Sequence, residues 1–313
     1  MNLQQFRYVS EVARRGLNIS EAAAALHTSQ PGVSRQLREL ERELGSEIFV
    51  RQGKRLTAVT DAGREIVAGI DRILAEIGNL KSVGQEYADS AKGSLAVAVT
   101  HTQARYALPP VVTEFKKHFP HVRLKLLQGN PHQLARHVLD GDADFAIATE
   151  ALMEYPQLIT LPAYQWHHCV VVPASHPLAK MKRITLEAIA EHPIVTYDPT
   201  FAGRTAIDRV FLARGLTPDI VLTALDSDVI KSYVTLGLGV GIISEKAFRP
   251  GKDEGLVALD AAHLFPTQTT RIAFKRGAYL RGYMVEFLRL FAPRFRIEDL
   301  KQLEAAPRES FEI

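Results

Sequence analysis

The stretch Ser20-Glu21-Ala22-Ala23-Ala24-Ala25-Leu26-His27-Thr28-Ser29-Gln30-Pro31-Gly32-Val33-Ser34-Arg35-Gln36-Leu37 spells two helices that meet at a tight connection. Ser20 suits the cap of the first, Glu21 to Leu26, whose run of alanines lets a neighbour approach closely. His27-Thr28 makes the connection. Ser29 suits the cap of the second, and Pro31 falls in its first turn, where a missing N–H costs nothing. Val33, Leu37, Leu40 and Leu44 then recur on one face until Gly45 stops the helix. Upstream, Leu3 to Arg14 places Leu3, Phe6, Val9 and Val12 or Ala13 on one side of a further helix, broken at Gly16. Downstream, Ile48-Phe49-Val50 and Leu56-Thr57-Ala58-Val59 flank Arg51-Gln52-Gly53-Lys54-Arg55, a hairpin with a glycine turn and a basic tip. Three helices and a hairpin in this order predict a winged helix-turn-helix over residues 1–59.

Charge supports that reading. Residues 1–60 carry nine arginines and lysines against six glutamates, which accounts for the whole net charge of +3. A basic small module on a neutral remainder points to a polyanion, here double-stranded promoter DNA. Gln30, Ser34, Arg35 and Arg38 fall on the outward side of the second helix of the motif, and Arg and Gln are the side chains that pair bidentately with guanine and adenine edges. Thr28, Ser29 and Pro31 sit at its N-terminus, where a phosphate is favoured. Arg51, Lys54 and Arg55 occupy the wing, beside the backbone or minor groove. A solvated surface explains any one of these residues equally well; their order and spacing together favour DNA contact.

Thr60 suits the cap of a long helix ending near Ala88, with Ile66, Ile70, Ile73, Ile77 and Leu80 spaced by four, three, four and three. That spacing predicts a linker and dimerisation helix with its hinge over residues 60–92; an ordinary amphipathic helix lying on its own domain is the alternative. From residue 93 to 313 short β-rich runs alternate with helical ones, beginning Leu95–Val99, Tyr106–Phe119, Val122–Leu127, Pro131–Leu139 and Phe145–Ala148. This predicts α/β architecture: an open parallel sheet, repeated as two lobes (about 93–163 plus 266–295, and 164–265) like a periplasmic-binding protein, with a cleft between them. Thr100, Thr102 and Gln103 follow the first strand of this region and precede a helix, and Thr149 ends another strand. Hydroxyls and helix N-terminal N–H groups make an uncharged anion cradle. Each threonine alone suits a cap; two strand ends on one sheet edge favour the pocket.

The stretch Thr28 to Leu37, with Leu40-Glu41, Leu44-Gly45, Ile48-Phe49, Arg51, Leu56-Thr57 and Thr60-Asp61-Ala62-Gly63, closely resembles the DNA-binding signature of LysR-type transcriptional regulators. Gly93-Ser94-Leu95, Thr100 to Pro109, Ala143 to Ala151, Asp228-Val229-Ile230-Lys231 and Leu236 to Gly241 resemble the CysB-like branch of that family. The resemblance implies an effector domain that senses a small anionic or zwitterionic ligand, of acetylserine or sulfate and thiosulfate type, and controls sulfur assimilation and cysteine biosynthesis genes. A regulator of sulfonate or sulfate-ester use is the nearest rival. It also implies a homotetramer of two DNA-binding dimers, with RNA polymerase a further candidate partner. Glu150 and Trp166 join the implied cleft lining. Where the family often carries an anion-binding threonine, this chain has Ala202, and Thr200 is the candidate substitute.

Other classes find little support. The N-terminus does not read as a signal peptide and no run approaches a membrane span, so a cytoplasmic protein without membrane contact is expected, against a solute-binding protein. The single cysteine, Cys169, lies in an apolar run and reads as a buried inert thiol. His118, His121, His132, His137, His167 and His168 show no metal-ligand spacing and read as solvated or capping residues. Gly237, Gly239 and Gly241 enter a strand, marking close backbone approach and not a phosphate loop. No nucleophile, base and acid set emerges, so neither an enzyme nor a cofactor is expected.

Overall fold

The computed structural model describes residues 1–53, 55–296 and 298. The chain divides into two compact units, Met1–Ala88 and a second beginning at Asp89.

The first unit opens with α1 (Leu3–Arg14), held by a capping box between Asn2 and Gln5. The next helix, α2 (Ile19–Ala25), starts earlier than the sequence suggested: Asn18, not Ser20, caps it, accepting from the Ser20 and Glu21 N–H groups. Positive φ at Gly16 and Leu17 turns the chain there and delivers Asn18 to the cap. In α3 (Gln30–Leu44) Ser29 caps and Gly45 closes in a left-handed conformation, as expected. Strands β1 (Phe49–Gln52) and β2 (Arg55–Val59) pair antiparallel. Last comes α4 (Asp61–Ala88), whose first turn the Thr60 hydroxyl caps through the Gly63 N–H at 2.8 Å. A Cβ on Gly63 would stand 2.1 Å from the Ile48 carbonyl oxygen, so only glycine lets α4 leave the hairpin this closely.

Val9, Val12, Ala22, Val33, Leu37, Leu40, Ile48, Phe49 and Ile70 close one core. Two expectations change here. Leu44, assigned inward, is exposed at the end of α3. Ile70 is buried inside this core and Ile66 packs against it, so the first half of α4 is an amphipathic helix lying on its own unit. A hydrogen bond from the Ser10 hydroxyl to Asp71 fastens it to α1.

In the second unit the elements run β3 (Gly93–Val99), α5 (Leu108–His118), β4 (Val122–Gln128), α6 (Pro131–Asp140), β5 (Phe145–Ala148), β6 (Leu158–Trp166), β7 (His168–Pro173), α7 (Leu186–Ala190), β8 (Ile194–Tyr197), α8 (Ala202–Ala213), β9 (Ile220–Ala224), α9 (Ser227–Thr235), β10 (Val240–Ser244), β11 (Leu256–Asp260), β12 (Gln268–Lys275) and α10 (Gly282–Phe291). Among the described residues they form two five-stranded sheets, ordered β4-β3-β5-β12-β6 and β11-β7-β10-β8-β9. Each defines a lobe with helices on both faces: α5 and α10 against α6 in the first, α7 and α8 against α9 in the second. The chain crosses between lobes twice, at His167 and over residues 261–267.

The expected all-parallel sheets are mixed. β3 is parallel to β4 and β5, and β8 to β9 and β10, but β12 runs antiparallel to β5 and β6, and β7 to β10 and β11. Strands β6 and β11 had no clear sequence signal. In β6 the register slips where Tyr164 faces Thr270 but Pro162 faces Arg271, leaving Ala163 as an extra residue. That bulge accommodates the proline and erases the alternation by which a strand is recognised.

Candidate functional site

In the first unit, α3 presents Gln30, Pro31, Arg35 and Arg38 exposed and Ser34 half-buried on one side. Arg35 keeps 74% of its side chain exposed and meets only Glu39, at 3.7 Å. Two residues expected at the DNA face also bond within the fold. The Ser29 hydroxyl accepts from the Gly32 N–H at 3.3 Å, which makes it a cap. Arg51 pairs at 2.7 Å with Glu41, a carboxylate only 7% exposed that also accepts from the Ile48 and Phe49 N–H groups. The wing is thereby pinned to α3 through Arg51, with Arg55 exposed beyond it. Thr28 is half-buried, its N–H bound to the Ala23 carbonyl at the turn. Lys54 lies outside the described residues.

In the second unit a cleft is lined by Thr100, Thr102, Gln103 and Thr149 from the first lobe, with Pro131 and Trp166, and by Tyr197, Phe201, Gly203, Leu225 and Ser244 from the second. Most of these lie at the carboxyl ends of strands or the first turns of helices, as the open-sheet rule requires. Among the described residues no charged side chain lines it. Polarity comes from hydroxyls and from the starts of α6 at Pro131 and α8 at Gly203, an arrangement that favours an anion.

Thr102 is not free at a helix end: it already has helical φ and ψ, and its hydroxyl stands 3.3 Å from the Ser227 hydroxyl across the lobes. Ser227 in turn meets the Tyr197 hydroxyl at 2.8 Å, which accepts from the Ser244 N–H at 2.9 Å. Burial pushes the Tyr197 phenol up to about 12, so it remains protonated. The Gln103 amide is held from both ends, donating to Thr270 at 3.3 Å and accepting from Tyr164. Thr200 is absent from the lining: it is exposed, and its hydroxyl and N–H both donate to Asp198. The side chains of Glu150 and Ala202 lie outside the described residues.

Beside the cleft a polar latch joins the lobes. Tyr106, in a π-helical turn (Gln103–Ala107) before α5, donates to Asp228 at 2.7 Å and accepts from Lys231 at 3.0 Å. Arg105 pairs with Asp228 at 2.8 Å, Lys231 with Asp253 at 2.7 Å, and Arg249 donates to the Arg105 carbonyl at 3.3 Å. His101 lies 3.9 and 4.0 Å from Asp226 and Asp228, the one His and acid group of metal-ligating type among the described residues; Arg105 and Lys231 already offset the Asp228 charge.

The remaining expectations divide. Cys169 is buried and burial raises its thiol to about 12, matching an inert cysteine. Gly239 and Gly241 are close-approach positions, where a Cβ would stand 2.2 Å from the Pro193 carbonyl oxygen and 2.5 Å from Val171. His168 is neither solvated nor a cap: it is 1% exposed in the interior. The sequence reading missed Tyr197, Ser227 and Ser244; the strand-end rule applied to the second lobe would have found the first and last.

A recognition helix with a wing, and a two-lobed cleft built of neutral dipoles, define a ligand-responsive DNA-binding protein. The bacterial regulatory helix-turn-helix model of the lysR family matches residues 3–64, and the LysR substrate binding domain matches residues 88–296. The chain belongs to the LysR family of transcriptional regulators, whose members bind promoter DNA and small-molecule effectors. It is 52% identical to the HTH-type transcriptional regulator CysB of Burkholderia cenocepacia, over 100% of both chains. To the regulator SsuR of the same organism it is 50% identical, over 97% of this chain and 98% of that one. The solved cofactor-binding domain of the Cbl transcriptional regulator superposes with a TM-score of 0.65 at 45% identity, covering 67% of this chain and 92% of that domain. Among the described residues no helix is long and apolar enough to cross a membrane.

Proposed function

We propose that this regulator senses a small sulfur-linked anion or zwitterion, of acetylserine or of sulfate and thiosulfate type, and controls sulfur assimilation and cysteine biosynthesis genes from the cytoplasm. The observation that carries the reading is the cleft lining, uncharged among the described residues: Thr100, Thr102 and Thr149 converge with two helix starts and no lysine or arginine. Oriented dipoles hold a small anion reversibly, as a sensor must. The similarity to CysB supplies the metabolic direction. Nearly equal similarity to SsuR supports a second reading, control of sulfonate or sulfate-ester genes. The proposed assembly is a tetramer of two dimers, each joined along α4 by Ile73, Ile77 and Leu80, working with RNA polymerase at the promoter and without catalysis. Gln30, Ser34, Arg35 and Arg38 read bases, and Arg55 touches the backbone. A thermal-shift series over acetylserine, sulfate, thiosulfate and adenylylsulfate tests the ligand class. The reading predicts a rise in melting temperature for one of the first three. No rise with any of the four contradicts it.

A further inference from the structure

Between α4 and β3 lies Asp89-Ser90-Ala91-Lys92, polar and largely exposed, a composition that reads as a flexible linker. The structure holds this connector instead. Asp89 accepts from the Ala91 N–H at 3.1 Å and pairs through its other oxygen with Lys92 at 2.9 Å. Against it lies Arg281, buried at the start of α10, which donates to the Asp89 and Lys92 carbonyls, each at 3.0 Å. The same guanidinium stacks on Tyr283, 4.8 Å from its ring centre, and the Tyr283 hydroxyl donates to the Ser94 carbonyl at 2.9 Å. A Cβ on Gly93 would stand 2.8 Å from the Tyr283 hydroxyl oxygen and 3.0 Å from Arg281 Nη1, so only glycine lets the chain pass this closely.

Helix electrostatics do not account for Arg281. It immediately precedes α10, where the helix dipole favours an anion and opposes a cation. What a guanidinium offers here is a planar fork of donors that satisfies two carbonyls at once. Asp89 directly follows the last residue of α4, so its carbonyl has no partner within that helix. Tyr283 packs in the core that holds Leu95, Val97 and Val99 of β3. That strand runs from the connector to Thr100 at the edge of the cleft. Connector, clamp and strand are therefore parts of one packed body.

We propose that Arg281 is a positioning residue for regulation. With Tyr283 it locks residues 89–93 onto the effector unit, so that a change at the cleft is passed along a stiff connector and not lost in a loose one. Coupling of this kind needs a contiguous chain of packed and hydrogen-bonded groups, which β3, Tyr283 and Arg281 supply. The coupling rests on the reading of the cleft as an effector site; the lock itself does not.

Trypsin reads the lock without any ligand, because it cuts after Lys92, whose carbonyl Arg281 holds. Full-length wild type, Arg281→Met and Tyr283→Phe are digested, and mass spectrometry follows the cut between Lys92 and Gly93. The expected cut is about tenfold faster in Arg281→Met than in wild type, and faster by less in Tyr283→Phe, with other sites cut at wild-type rates. An unchanged rate at Lys92 in both variants overturns the lock, as does equal acceleration at every site, which marks a loss of stability alone. Coupling is read as the affinity for a promoter fragment that wild type selects from genomic DNA, with and without N-acetylserine. Calorimetry of N-acetylserine binding accompanies it. Both variants should keep N-acetylserine affinity close to the wild-type value, while the change that N-acetylserine makes in promoter affinity collapses. An equal change in wild type and both variants overturns the coupling role. If N-acetylserine leaves wild type unmoved, the reading of the cleft fails, and the lock stands or falls on trypsin alone. Where Arg281→Met does not fold, Tyr283→Phe carries both readouts, and no change in either overturns the proposal.

Discussion

Arg51 commits its guanidinium to the buried Glu41, whereas Arg35 stands exposed on the outer side of α3. Both matched the same sequence signature, because residue type gives charge but not the partner that claims it. Their substitutions should therefore differ in kind. Arg35→Ala lowers affinity for a specific operator by about 1–3 kcal/mol and flattens base preference with little change in melting temperature. Arg51→Ala leaves Glu41 buried and unpaired and costs about 3 kcal/mol of stability. Gel shifts on operator and scrambled DNA, beside urea melts, separate the two; a stability loss for Arg35→Ala with unchanged binding refutes the assignment. His168 supplies a pH prediction. Burial lowers it from 6.5 to about 4, so between those values the unfolded chain takes up a proton that the folded chain excludes. Stability is then complete above pH 6.5 and falls as the pH drops toward 4, by about 2–3 kcal/mol. His168→Phe should flatten that part of the profile in urea melts at pH 7.5 and 4.5, and an unchanged slope contradicts the assignment.

Elements with strong local chemistry are legible in the sequence itself. The end of α3 is written in Gly45 and the start of α4 in Thr60. What stays hidden depends on distant neighbours: the bulge in β6, the edge strand β11, and the cap of α2, moved by backbone geometry at Leu17. The heptad pattern of α4 shows why periodicity alone misleads. Its isoleucines share a stripe, yet Ile70 completes the core of its own unit while Ile73 is 44% and Leu80 65% exposed. The proposed dimer seam accordingly begins at Ile73. Replacing Ile73 and Leu80 with Asp should dissociate the assembly and leave the unit folded, because charges would then enter the seam. Ile70→Asp should unfold the unit instead. Light scattering with circular dichroism reads both; an unchanged assembly for the double variant refutes the seam.

At the scale of the molecule, the cleft is legible on its first-lobe side, where Thr100, Thr102 and Thr149 sit at strand ends beside helix starts. Its second-lobe side is legible only in part: Tyr197 and Ser244 also end strands, whereas Ser227, which meets Thr102 and Tyr197 behind the lining, is reached only once two crossovers join the lobes. The latch of Tyr106, Asp228 and Lys231 likewise joins residues more than a hundred positions apart. Tyr106→Phe removes the hydroxyl shared by an acid and a lysine. It should weaken effector binding about tenfold by loosening the lobes, since ordering them then falls to the ligand. Calorimetry checks this, and unchanged affinity would mean that the remaining ion pairs alone hold the lobes.

The central claim is that occupancy of the threonine cleft governs which DNA the recognition helix selects. Its most direct test is selection of genomic fragments by the full-length protein, sequenced with and without acetylserine, for wild type and Thr102→Val. Thr102→Val keeps the side-chain volume and removes one hydroxyl, worth roughly 1.5–3 kcal/mol against a charged ligand. The account predicts that both proteins enrich the same promoters of sulfur-assimilation genes without ligand. Acetylserine then changes the selection by wild type and leaves that of Thr102→Val unaltered. Enrichment without a shared motif, or an equal response of the two proteins to acetylserine, would contradict it.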